Sequence, residues 1–108
     1  MCLVGHTHVP CVIEYDRTRR RITRRLTAAA QLADITVLDQ PASVRYLINP
    51  GSVGQPRDGD PRASCAVIDT DARRVRILRV PYDIAGAQRK IRQAGLPEFL
   101  ADRLASGD

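Results

Sequence analysis

The run Val44 to Ile48 reads as a β-strand, and it is stopped abruptly by Asn49-Pro50-Gly51. Proline removes a ladder donor and glycine accepts a positive φ, so no strand or helix continues through that triplet. Its position divides the chain into β-rich sequence before it, a long structured loop from Gly51 to Pro61, and further strand and helix beyond. The fold is therefore a mixture of strands and helices assembled around an ordered turn region.

Strand-like segments occupy Met1 to Val4, which reads as a short buried strand, and Cys11 to Tyr15, in which Val12 alternates with Glu14. Ser64 to Asp69 and Arg74 to Val80 form two more, joined at Thr70-Asp71-Ala72-Arg73, with Val75, Ile77 and Arg79 on one face of the second. The C-terminal third, 83–105, is helical. Asp83 is the N-cap, Ile84, Ala87, Gln88 and Ile91 recur at helical spacing, and Gly95 closes the first helix. Pro97 opens a second short helix at its favoured first turn, with Leu100 and Leu104 inward. Residues 17–40 fit no single pattern: Arg21 to Thr27 extends a hairpin, Ala28 to Leu32 favours helix, and Ile35 to Val37 leans to strand. This stretch is read as a variable insertion within one domain spanning 1–108.

At 108 residues a chain buries only about two thirds of its unfolded surface, so the core is modest. No segment approaches the ~20 apolar residues that cross a bilayer, so no membrane partner is expected and the cytoplasm is the default location. Cys2, Cys11 and Cys65 are an odd set without C-x-x-C spacing and read as reduced thiols. The net charge of +5 rests almost wholly on arginine, Lys90 being the one lysine. Arg17, Arg19, Arg20, Arg21, Arg24 and Arg25 form a dense cluster suited to phosphates. Tyr15 is the only ring beside it, whereas stacking on bases needs several, so a solvated hairpin is favoured over nucleic-acid binding.

The only two histidines stand one residue apart in Gly5-His6-Thr7-His8. On an extended backbone, residues i and i+2 share a face at roughly 6.5 to 7 Å, a spacing that suits one imidazole on each of two neighbouring metal ions. A closed Cys2, His6, His8 and Cys11 zinc site is the alternative, although its spacing departs from finger patterns.

The order of GHTH, a strand hairpin, NPGSVGQPRDGDPRAS and then RVPYD resembles the C-terminal part of the calcineurin-like metallophosphoesterases, particularly the small bacterial and archaeal phosphodiesterase-type members. The resemblance covers nearly the whole chain apart from Arg17 to Gln40. It implies the C-terminal half of a four-layer α/β/β/α sandwich, with mostly antiparallel or mixed strands followed by two helices. It also implies that His6 and His8 each ligate one member of a divalent metal pair, Mn, Fe or Zn. In such a site two cations ~3.5 to 4 Å apart activate water and clamp the phosphoryl oxygens of a phosphate-ester substrate. The family's D-x-H, G-D-x-x-x-D and G-N-H-[DE] motifs do not occur in these residues. A dinuclear site takes roughly three protein ligands per metal, so the chain is expected to be inactive alone, as a C-terminal fragment with no complete catalytic set.

Within that frame, Asn49, Gly51 and Ser52 either form a scaffold or line the site through the N–H groups of Gly51 and Ser52, orienting the histidines. Arg57 and Arg62 either contact a substrate phosphate or pair with Asp58 and Asp60. A competing reading is a non-catalytic binding module, because half a sandwich exposes a sheet that seeks a homo-oligomer or a partner chain.

Overall fold

The computed structural model describes residues 1–26, 35–36 (backbone only) and 41–108. Among the described residues, seven strands precede two helices: β1 (Cys2–Leu3), β2 (Cys11–Asp16), β3 (Arg21–Leu26), β4 (Ile35–Thr36), β5 (Val44–Asn49), β6 (Ala63–Asp69), β7 (Arg74–Val80), α1 (Ile84–Gln93) and α2 (Glu98–Ser106). The strands form two sheets, ordered β1-β5-β2-β3 and β4-β7-β6. Among the described strands β1 and β5 run parallel, and the other pairings are antiparallel.

Alternation decides which face each sheet buries. Val12, Leu26, Tyr46 and Ile48 of the first sheet meet Val75 and Ile77 of the second, and Val44, Ala66 and Ile68 pack around them. Period-2 patterning thus becomes a sheet-on-sheet core, with Arg79 following Val75 and Ile77 on the same strand face.

Two hairpins use the same turn chemistry. Asp16 Oδ1 accepts from the backbone N–H of Thr18 and Arg19 at 2.8 and 3.1 Å, and Asp69 Oδ1 accepts from Asp71 and Ala72 at 3.1 and 2.8 Å. Each turn ends in an arginine with positive φ, Arg20 at 52° and Arg73 at 50°. The aspartate side chain stands in for a turn hydrogen bond, which is why Asp opens both loops. Much of the arginine cluster therefore lies on a hairpin; Arg19 reaches Asp16 at 3.7 Å and Arg24 reaches Glu14 at 3.4 Å.

The segment read as an insertion, 17–40, contributes structure to both sheets: β3 is the outer strand of the first, and β4 pairs with β7 in the second. The helix-favouring residues Ala28 to Leu32 lie outside the described residues. The N-terminal strand also differs from its expected burial. Met1, Cys2 and Leu3 are exposed because β1 is a two-residue edge strand, and pairing on one side leaves the rest of it open.

At the C-terminus, Asp83 caps α1 by accepting from Gly86 N–H at 2.8 Å, and Gly95 follows its end at φ 68°. Pro97 sits at the N-cap of α2 rather than in its first turn. Gln88 Nε2 donates to Ala101 O at 2.9 Å, and Arg92 joins Glu98 and Asp102 at 2.6 and 3.0 Å, fastening the helices together. Ala101 and Leu104 supply the buried face of α2. Gly59 N–H donates to Gly107 O at 3.0 Å, tying the end of α2 to the loop between β5 and β6. No helix among the described residues is long and apolar enough to cross a membrane.

Candidate metal centre

Both histidines depart from the extended conformation that their i, i+2 spacing predicts. His6 has φ 75° and His8 φ 61°, so Gly5-His6-Thr7-His8 is a tight bend between β1 and β2, not a strand end. The left-handed region disfavours residues with a Cβ and costs of order 1–3 kcal/mol per residue, so the surrounding contacts must hold the bend in place. Thr7 N–H donates to Gly5 O at 3.0 Å within it.

Asn49 supplies the main restraint. Its side chain is almost fully buried, at 2 % exposure, and its Nδ2 donates to Gly5 O at 3.1 Å and to Thr7 Oγ1 at 2.8 Å. Its Oδ1 accepts from Gly51 N–H at 2.9 Å. One amide therefore fastens the histidine bend to the turn that ends β5, with its polar atoms all engaged.

Gly51 sits at φ 84°, and a Cβ there would lie 2.7 Å from Ser64 Cβ. The turn consequently needs glycine for both conformation and space. Ser64 holds it from the other side, donating Oγ–H to Pro50 O at 2.7 Å and N–H to Ser52 O at 2.8 Å. Ser52 Oγ then accepts from Gln55 N–H at 2.9 Å, setting the path of the following residues.

That path ends at the second histidine. His8 Nδ1 lies 2.8 Å from Gln55 O. A carbonyl only accepts, so Nδ1 carries the proton and Nε2 keeps its lone pair free for a metal. Arg57 N–H donates to His8 O at 3.3 Å, and Arg57 Nη2 donates to Gln55 Oε1 at 2.5 Å. The His6 ring is exposed and has no hydrogen-bond partner among the described residues. His8 is half-buried.

No model of a known family matches the chain. An uncharacterised protein of Methanocaldococcus jannaschii is 38% identical over 107 residues, which are 99% of this chain and 39% of that protein. A metallophosphoesterase from Sphaerobacter thermophilus, known from its crystal structure, is similar at 45% identity with a TM-score of 0.79, over 99% of this chain and 42% of that one. This chain has a metallophosphoesterase fold. The 108 residues span about two fifths of the length of either relative.

Within the metallophosphoesterase fold, the predicted site residues come together in part. His6, His8, Asn49, Gly51 and Ser52 form one connected neighbourhood, but the histidines are oriented by the Asn49 amide and the Gln55 carbonyl. The N–H of Gly51, expected to line the site, is consumed by Asn49 Oδ1. Arg62 pairs with Asp60 at 2.7 Å as anticipated, whereas Arg57 takes an amide oxygen. The closed Cys2, His6, His8 and Cys11 zinc site is not formed: no group of three metal-binding side chains occurs among the described residues, and Cys2 is exposed on the edge strand. Gln55 and Thr7 leave no signal in the sequence, because one holds His8 through its backbone and the other is an acceptor inside the bend.

Proposed function

We propose that this chain contributes His6 and His8 as ligands to the two-metal centre of a metal-dependent phosphoesterase acting on phosphomonoesters or phosphodiesters, with the remaining ligands outside these residues. The observation that carries the reading is the His8 tautomer: with Nδ1–H held by Gln55 O, the Nε2 lone pair is available. The similarity to the Sphaerobacter thermophilus metallophosphoesterase supports it from a second direction.

The donor set fits part of such a site. An imidazole with a fixed tautomer and a second, exposed imidazole two residues away suit Mn²⁺, Fe or Zn²⁺. When bound, a divalent pair supplies positive charge for phosphoryl oxygens and makes water nucleophilic near neutral pH. The chain's own residues do the positioning. Asn49 holds the bend that carries both imidazoles, and Gln55 O keeps the His8 ring oriented.

A chimera tests this directly. Replacing the matching 42% of the Sphaerobacter thermophilus protein with these residues is expected to preserve Mn²⁺-dependent hydrolysis of bis-p-nitrophenyl phosphate, and His6→Ala or His8→Ala in the chimera is expected to abolish it. A folded chimera that stays active without either histidine overturns the reading. The 108 residues alone are expected to give no turnover above the metal blank.

One observation favours a second reading, an oligomerisation module. Ile13, Tyr15, Ile22 and Leu47 share the outward face of the first sheet, and the last three are exposed. Light scattering after size exclusion decides it, because a stable monomer contradicts self-association.

A further inference from the structure

The segment Gln55-Pro56-Arg57 serves both His8 and a guanidinium. Gln55 O holds the His8 ring, Arg57 N–H donates to the His8 backbone, and Gln55 Oε1 holds Arg57 Nη2. Pro56 between them is fully buried, so the segment is anchored while the Arg57 side chain stays in solvent.

The neighbouring carboxylates are already engaged. Asp58 is paired with Arg79. Asp60 Oδ2 lies 2.7 Å from Arg62 Nη2 and 3.8 Å from Arg79 Nε. Arg79, with its side chain only 8% exposed, also donates to Asp60 O and Arg62 O at 3.5 and 3.3 Å. Each acidic side chain that could neutralise Arg57 from this loop is therefore committed elsewhere, and Arg57 is left with a neutral partner. Gln55 takes one N–H of the planar fork and leaves a paired edge for a ligand, the geometry that matches two oxygens of a phosphate.

We propose that Arg57 is the phosphoryl-oxygen clamp of this site: its backbone N–H is fixed on His8 O, and its guanidinium, held by Gln55 Oε1, binds two non-bridging oxygens of a phosphate ester. This rests on the reading of His6 and His8 as ligands of a phosphoesterase centre. Arg57 thereby takes a recognition role, so its side chain acts on anion affinity and leaves the histidine bend intact. Lysine in its place keeps the charge but loses the fork.

The test uses the ¹⁵N-labelled 108-residue chain in two separate arms. In the first, inorganic phosphate is titrated at constant ionic strength while the Arg57 amide and Nε–H signals are followed. The expected result is saturable movement of both, weakened about tenfold or more in Arg57→Gln and less in Arg57→Lys, consistent with loss of charge-assisted hydrogen bonds. Trimethyl phosphate, which presents no anionic oxygen pair, is expected to move neither signal. Equal phosphate affinity in Arg57→Gln overturns the clamp, as does an unsaturable response shared with the Arg17 to Arg25 hairpin. In the second arm Zn²⁺ is titrated without phosphate against the His6 and His8 imidazoles. A failed phosphate arm with a working zinc arm rejects the clamp and leaves the metal ligands standing; the reverse keeps Arg57 as an anion site and rejects the ligand reading.

Discussion

Asn49 and Tyr46 occupy the same strand, β5, and show opposite solutions to burying a polar group. Asn49 satisfies its amide completely, so its loss leaves Gly5 O, Thr7 Oγ1 and Gly51 N–H without their partner. Asn49→Ala is expected to cost about 2 kcal/mol of stability in a denaturant titration, and to weaken Zn²⁺ binding by roughly tenfold or more through the disoriented bend. Tyr46 instead carries a buried hydroxyl with no hydrogen-bond partner among the described residues. Burial pushes its pKa up to about 12, and the facing Glu14 pushes in the same direction. The folded state therefore keeps the phenol proton more tightly than the unfolded chain does. The resulting stability is fully present below pH 10 and lost as pH rises toward 12. Tyr46→Phe is expected to be neutral or stabilising by about 1 kcal/mol, and to remove this group's share of the alkaline loss, as read by thermal melts between neutral and high pH.

At the scale of elements, the loop from Gly51 to Pro61 connects everything around the site. It contacts the histidine bend through Gln55 and Arg57, β6 through Ser52 and Ser64, β7 through Arg79, and α2 through Gly59 and Gly107. Its electrostatics give an acid limb. The hydrogen bond from Arg62 is the largest cause holding Asp60 down at about 2, against an ordinary 3.8. A depressed carboxylate stabilises the fold above its unfolded value and loses that contribution as pH falls through the folded one. The stability advantage of the natural protein over Asp60→Asn is thus expected to be nearly full at pH 5, to fall as pH drops toward 2 and to vanish only below about pH 2, measured by urea midpoints. Elements marked by strong local chemistry were legible in the sequence: the stop at Asn49-Pro50-Gly51, the Asp83 cap and the β6–β7 hairpin all stand where their residues put them. Strand β3 was harder to read because all but Leu26 of its residues are exposed, and an arginine-rich edge strand lacks a clean alternation. The bend at GHTH differs from the extended backbone its spacing predicts because positive φ at the histidines is held by Asn49, more than forty residues away. Local sequence carries no sign of it.

For the whole molecule, two sheets meet across Val12, Leu26, Tyr46, Ile48, Val75 and Ile77, and the histidine bend hangs from one end of that core. The strand and helix order that located the bend against the loop was visible in the sequence. The distant carbonyl that selects the His8 tautomer was not, since any residue at position 55 offers one. We propose that this chain presents two imidazoles as metal ligands, with His8 binding through Nε2. The most direct measurement is a Zn²⁺ titration of the ¹⁵N-histidine-labelled chain, following ring nitrogen shifts. His8 Nε2 and one nitrogen of His6 are expected to move together while His8 Nδ1 stays protonated, and His6→Ala or His8→Ala is expected to weaken binding. Ring shifts indifferent to zinc, or a His8 that coordinates through Nδ1, would contradict it.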